Sequence, residues 1–342
     1  MTENLLALVG NAKAGTISTL AVGDEALRVV ATSQVGAGCG TFAVDAARRL
    51  VYCATKEPEP AIVTLAFDPA TGALSEVSRT GVADPLAYLA LARDGAVLLG
   101  ASYHGGWGAG WPVSDGVLGE RTAPVEHANI HCVVADKASQ HAYFVALGDD
   151  LVAQCALGSD GTLTPLDPPT VGVAQGTGPR HLVLSDGEQS AYLLTEFTAE
   201  AIRFDRDPDT GVLTRAESLR THTTDRGLSD SEYGADPQKG HLVWGADLHL
   251  AAGEAFLVCS ERTESTLASV RLDADGHLAD VVEFTDTQTQ PRGFNVTPDG
   301  TRLVVAGEAS GKVSLVAVAE DGRLTELDRV ATGEGPNWVR FI

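Results

Sequence analysis

Basic side chains are scarce in this sequence: 24 Lys and Arg stand against 46 Asp and Glu, a formal net charge of −22. Such a surface repels phosphate backbones and anionic lipid headgroups, which argues against a general nucleic-acid or membrane binder. Any anionic ligand therefore needs a local cationic site. Long apolar runs are missing as well. No stretch approaches the roughly 18 consecutive apolar residues of a membrane span, and the start Met1-Thr2-Glu3-Asn4, followed by Leu5 to Val9, carries neither a basic leader nor a cleavage site. The chain reads as neither membrane-spanning nor secreted, hence as cytoplasmic. Cysteine is limited to Cys39, Cys53, Cys132, Cys155 and Cys259, without CxxC spacing and mostly in apolar strand-like runs. Buried free thiols in a reducing compartment are expected, not a disulfide framework or a zinc cage. The histidines do not read as a transition-metal ligand set. Gly105-Gly106-Trp107-Gly108 lacks the Lys-Ser/Thr of a phosphate loop, and there is no Gly-x-Ser-x-Gly elbow. What remains is water-attack chemistry or plain binding.

Apolar residues, by contrast, are plentiful: 44% hydrophobic against 20% charged over 342 residues, enough for a large core and too much for general disorder. A turn followed by leucine recurs seven times, as Gly23-Asp-Glu-Ala-Leu27, Asp68-Pro-Ala-Thr-Gly-Ala-Leu74, Asp115-Gly-Val-Leu118, Ser159-Asp-Gly-Thr-Leu163, Asp207-Pro-Asp-Thr-Gly-Val-Leu213, Asp273-Ala-Asp-Gly-His-Leu278 and Glu320-Asp-Gly-Arg-Leu324. The leucines lie 44 to 50 residues apart, save one spacing of 65. Asp and Gly sit where a hairpin turn needs positive φ, and the flanking Val/Leu/Ala/Thr runs read as short strands. Units of about 45 residues with several strands have the size of β-propeller blades. The expected fold is all-β, a seven-bladed β-propeller with residues 1–342 as one domain.

A second repeat orders the strands. Gly178-Pro-Arg-His-Leu-Val-Leu184 leads to Ala191-Tyr-Leu-Leu194, and Gln290-Pro-Arg-Gly-Phe-Asn-Val296 leads to Leu303-Val-Val305. Comparable first strands begin near Gly40, Pro85, Asn129 and Gly245. The last, Gly335-Pro-Asn-Trp-Val-Arg-Phe341, has no strand after it, whereas Leu5-Leu-Ala-Leu-Val9 is a second strand with none before it. The two termini are therefore expected to close the ring within one blade. The long spacing falls on the polar segment 220–240, an inter-blade loop. A closed ring needs no partner to hide its edges, so a monomer or weak homodimer is expected.

Aligned on the turn that follows them, the first strands bring His131, Arg180 and Arg292 to one register, with Asn337 equivalent and Asp247 nearby. The ends of the second strands supply Asn11, Lys56, Tyr103, Glu196, Arg262 and Glu308. Each has a bland reading alone, as a turn-bonding arginine, a structural histidine or a counter-ion. Recurrence at one register makes them candidates for a cationic channel mouth that takes a small anion.

The segments Gly176-Thr-Gly-Pro-Arg-His181, Trp244-Gly-Ala-Asp-Leu-His249, Ser260-Glu-Arg-Thr263, Gln288-Thr-Gln-Pro-Arg-Gly-Phe-Asn-Val296 and Gly333-Glu-Gly-Pro-Asn-Trp-Val339 resemble the lactonase family of seven-bladed propellers. That resemblance implies a cofactor-free hydrolase opening the ring ester of a sugar-acid lactone, 6-phosphogluconolactone foremost. Another sugar lactone, a carboxymuconate-type cyclisation and a non-catalytic interaction platform stay open. It implies His131, Glu196, Arg180 and Arg292 as catalytic residues; for water attack on the ester, Glu196 is expected as the base, His131 as its partner or as the acid, and Arg180 and Arg292 as the groups that grip the substrate's phosphate or polarise its carbonyl. Arg262, Lys56, Tyr103, Asp247 and Asn337 are expected to bind the substrate. The approach Glu126-His-Ala-Asn-Ile-His131 departs from the family's Pro-His-x-His pattern and leaves His127 as an alternative to His131. The Tyr103–Trp111 segment, read as a loop, and segment 220–240 are where substrate choice is expected to lie.

Overall fold

The computed structural model describes residues 5–342; the start Met1-Thr2-Glu3-Asn4, on which the reading of a missing leader rests, lies outside them. Seven antiparallel sheets of four or five strands are arranged as the blades of a propeller, each running from an innermost to an outermost strand in chain order. The exception is the closing blade, where the innermost strand Pro336–Phe341 is the last of the chain and pairs with Leu5–Asn11. Val339 lies opposite Val9 and Phe341 opposite Ala7, which is the closure expected from two unpartnered strands at the termini. Counting that blade as the first, the others follow with inner strands Thr41–Asp45, Tyr88–Ala92, Ile130–Ala135, Pro179–Leu184, Gly245–Ala251 and Pro291–Val296.

The turn-leucine repeat proves to be the hairpin between the third and fourth strand of every blade, and it also joins neighbours. Five repeat leucines donate their backbone N–H to a side chain of the preceding blade: Leu27 to Asp328 (2.7 Å), Leu74 to Ser33 (2.8 Å), Leu213 to Gln154 (2.6 Å), Leu278 to Glu217 (3.0 Å), and Leu324 to Glu283. The Tyr143 hydroxyl likewise donates to the carbonyl of Gly211 (2.6 Å). Gly211 has φ of 72°, and a Cβ there would meet His141 at 2.5 Å, so backbone conformation and close approach both demand glycine. Between these joints lie seven apolar clusters, each drawn from two adjacent blades, such as Tyr143, Val145, Leu193 and Phe204 between the fourth and fifth. No blade covers both of its own faces, so stability depends on the ring being complete. Trp338 fixes the seam, its indole N–H donating to the carbonyl of Phe42 at 2.9 Å.

The segment Tyr103–Trp111 is not a loop throughout: after a turn, Trp107–Ser114 is the third strand of its blade, with Trp107 and Trp111 in the core. Segment 220–240 is an inter-blade connection as expected, with one short helix, Pro237–Gly240.

Deleting residues 335–342 would strip the innermost strand from the closing blade and expose the clusters on both of its sides. The truncated protein is expected to lose its cooperative thermal transition by circular dichroism; a transition like that of the full chain would contradict closure by the termini.

Candidate active site

Two recurrent backbone devices aim side chains at one mouth of the channel. The first is a register shift at the start of five inner strands. Ile130 and Cys132 pair with their neighbour while His131 is skipped, and the same happens to Arg180, to Arg292, to Asn337, and to Ala246 with Asp247. Residues Asn129, Gly178, Gln290 and Gly335, which precede four of these strands, adopt positive φ. A bulge of this kind bends the strand and re-aims the skipped side chain. In the second device, the residue after the second strand of five blades donates its N–H back to the carbonyl just before the first strand: Ala12 to Gly335, Leu147 to Asn129, Glu196 to Gly178, Arg262 to Trp244 and Glu308 to Gln290. The N–H of Lys56 reaches Ala37 in the same way.

These side chains surround a cavity of ≈ 430 Å³, within the usual size of a small-ligand site. Its wall includes His131, Glu196, Arg262, Arg292, Lys56, Tyr103 and Asn337, seven of the nine residues anticipated from sequence, together with Lys13, His104, Trp244 and Glu308. Two expectations are corrected. Asp247 does not face the cavity: it is 4% exposed and accepts from His181 Nδ1 (2.7 Å) and from the backbone N–H of Phe294 (3.1 Å). Arg180 is 2% exposed and does not line the cavity: its Nε meets Glu196, and its Nη1 meets the Ala246 carbonyl and His181 Nε2. Asn11 also turns away, bonding Thr16 and Ser18. The cation from that corner is Lys13, two residues on, which an alignment off by one rung does not find. His127 pairs with Asp149 at 2.9 Å and is absent from the wall, so of the two histidines only His131 belongs to the site. Segment 220–240 supplies none of the wall; Trp244, just after it, does.

Glu196 is the electrostatic centre. One oxygen, Oε2, lies 2.9 Å from Arg180 Nε and 3.0 Å from Arg262 Nη2. Burial pushes its carboxyl up, but Arg262, Arg180 and Arg292 together outweigh that and hold it below its ordinary value, so it is ionised at neutral pH. The oxygen that accepts from both arginines is thereby engaged in holding them. Arg262 itself lies 3.8 Å over the Trp244 ring and donates to the Gly245 carbonyl at 2.9 Å. His131 is buried, with Nδ1 unpaired and Tyr103 edge-on at 5.8 Å between ring centres. Burial first, then Arg180, His181, Arg292 and Arg262, hold its imidazole well below the ordinary histidine value. The ring is neutral at neutral pH and can accept a proton. Burial raises the Tyr103 hydroxyl to about 12, so it stays protonated. Among the described residues, no group of three or more His, Cys, Asp or Glu side chains could hold a metal ion.

A family model described as a lactonase, 7-bladed beta-propeller matches residues 6–341. The chain is 27% identical over 284 residues to the 6-phosphogluconolactonase of Klebsiella pneumoniae subsp. pneumoniae, covering 82% of each. It is 26% identical over 319 residues to that of Pectobacterium atrosepticum, covering 92% of each. Among solved structures, the periplasmic gluconolactonase of Pseudomonas aeruginosa superposes with a TM-score of 0.86 over 99% of both chains at 24% identity, a likeness of fold.

If Asp247 is a structural acceptor and not a substrate ligand, Asp247→Ala should cost about 1–3 kcal/mol of stability for each buried donor it orphans, read by chemical denaturation. Parental stability combined with a raised KM would return Asp247 to the binding residues.

Proposed function

The chain belongs to the lactonase family of seven-bladed β-propellers, and from that membership we propose that it hydrolyses 6-phosphogluconolactone to 6-phosphogluconate, a step of the pentose phosphate route. The observation that carries this reading is the cavity wall: a neutral imidazole beside an arginine-bound carboxylate, inside a mouth rich in cations on a chain of net charge −22. An anionic substrate is drawn to such a local cluster of cations. We place the reaction in the cytoplasm, where the five buried thiols would stay reduced.

Lactone opening adds water across the ester. The water oxygen bonds to the carbonyl carbon, charge develops on the carbonyl oxygen, and the ring C–O bond then breaks. In this scheme His131 takes the proton from the attacking water, and the imidazolium so formed returns it to the departing ring oxygen. Arg262, held in place by Glu196 and Trp244, faces the developing oxyanion. Glu196 and Arg180 are positioning residues: the carboxylate orients Arg262, and Arg180 orients the carboxylate. Forming an imidazolium among arginines is unfavourable in the empty site. Substrate charge offsets those arginines, so the base becomes stronger when it is needed.

Proton release from freshly generated 6-phosphogluconolactone, corrected for spontaneous opening, is expected to exceed background, and His131→Ala to lower kcat by about 10²–10⁴-fold. Background rates on this lactone, on gluconolactone and on a five-membered aldonolactone would favour the interaction-platform reading. His131 must be unprotonated to act, and its pKa lies well below 6.5. Consequently kcat/KM should stay level as the pH falls through 6.5 and drop only further into acid. A fall centred at or above 6.5 would contradict His131 as the base.

A further inference from the structure

Only five lysines occur in the chain, and two of them, Lys13 and Lys56, line this cavity. Of the remaining three, Lys137 and Lys239 pair with Asp186 and Asp236, whereas Lys13 and Lys56 meet no carboxylate at ion-pair distance among the described residues. Their stems are nevertheless positioned. Lys56 lies against Gly38, where a Cβ would fall 2.6 Å from its Cγ, and Lys13 lies against Gly335, where a Cβ would fall 2.8 Å from its Cγ. Both glycines have positive φ, 77° and 69°. Each lysine thus rests on backbone that has no side chain to push it away. The third cation of this corner, Arg292, gives only Nη1 to Glu308 (3.1 and 3.4 Å to its two oxygens) and keeps Nε and Nη2 without a protein partner among the described residues.

Position in the ring separates these groups from the reacting ones. Arg292 comes from the seventh blade, Lys13 from the closing blade and Lys56 from the second, three neighbours in succession. Tyr103, His131, Glu196 and Arg262 come from the third to the sixth. Three cations against the one carboxylate of Glu308 leave two positive charges at one end, matching the charge of about −1.5 to −2 on a phosphate monoester at neutral pH. At the other end, Arg262 is already committed to Glu196 and to backbone carbonyls. The small residues Gly40 and Ala87 also line the cavity.

We propose that Lys13, Lys56 and Arg292 form a phosphate subsite that orients the substrate, holding the phosphate at the seventh-to-second-blade end so that the ester lies against His131. Lys13 and Lys56 are then the residues that discriminate phosphorylated from unphosphorylated lactones. This rests on the lactonase reading and goes beyond it in assigning polarity to the cavity. Lysine suits the task as a compact point charge that needs no fixed bidentate geometry.

The test is the Lys13→Gln/Lys56→Gln double variant, assayed on 6-phosphogluconolactone and gluconolactone, with calorimetric binding of 6-phosphogluconate and gluconate as a readout independent of turnover. The ratio of kcat/KM for the phosphorylated over the unphosphorylated lactone is expected to fall by about 100-fold, the order expected for two charge-assisted contacts. The parental preference for binding 6-phosphogluconate over gluconate should disappear with it. An equal loss on both lactones, or none on either, would overturn the subsite. Should the parental protein open neither lactone yet prefer 6-phosphogluconate, with the preference lost in the double variant, the subsite would stand and the lactonase reading fall. Absence of any parental preference would remove the subsite.

Discussion

Seven inner strands run into one channel, so whatever side chain each presents at its leading end must share that narrow space with the others. Ring closure enforces this crowding, and most of the chemistry follows from it. A regular strand would present its first residues to the blade on either side. A register shift instead throws one residue out of the ladder, and here it does so for His131, Arg180, Arg292, Asn337 and the Ala246-Asp247 pair. The closing strand is therefore both the element that completes the ring and one wall of the site, through Asn337.

Crowding like-charged groups is unfavourable unless the charges are compensated, and the molecule compensates only some of them. Arg180 and Arg262 share Glu196, whose carboxylate stays ionised against its burial. Behind them, Asp247 accepts from His181, whose ring is held down to about 4 by burial and by Arg180. Lys13, Lys56 and half of the Arg292 guanidinium are left without carboxylate partners at ion-pair distance or, for the arginine's Nε and Nη2, without hydrogen-bond partners among the described residues. A net charge of −22 repels anions in general, while this uncompensated cluster is where the proposed anionic substrate would be attracted. His131 feels part of this field from the inside: burial first, and then Arg180, His181, Arg292 and Arg262, keep its ring neutral.

The fold was legible because its repeat is enforced by two independent requirements, the hairpin geometry of the Asp-Gly turn and the inter-blade hydrogen bond of the leucine that follows it. Closure was legible from a strand without a successor at one end and a strand without a predecessor at the other. The face of the site could be read as well, because equivalent registers in successive blades point to the same mouth. Depth could not. Arg180 and Arg292 occupy the same register, yet Arg180 is withdrawn to hold Glu196, because the Ala246 carbonyl and His181 offer it partners that nothing near it in the chain announces. Asp247 was misplaced for the same reason: its ligands, His181 and Phe294, come from the blades on either side. Lys13 escaped because the second strand of its blade ends at Asn11, and counting strand ends stops there.

Burial and the surrounding arginines keep His131 neutral in the empty site, and an anionic sugar phosphate is expected to offset the charge of those arginines. Nitrogen-15 NMR of the His131 ring, titrated with and without 6-phosphogluconate, tests this most directly. The account predicts a ring that remains neutral well below pH 6.5 when free and an upward shift of its midpoint when the ligand is bound. An ordinary histidine titration in the free protein, or a midpoint that ignores the ligand, would contradict it.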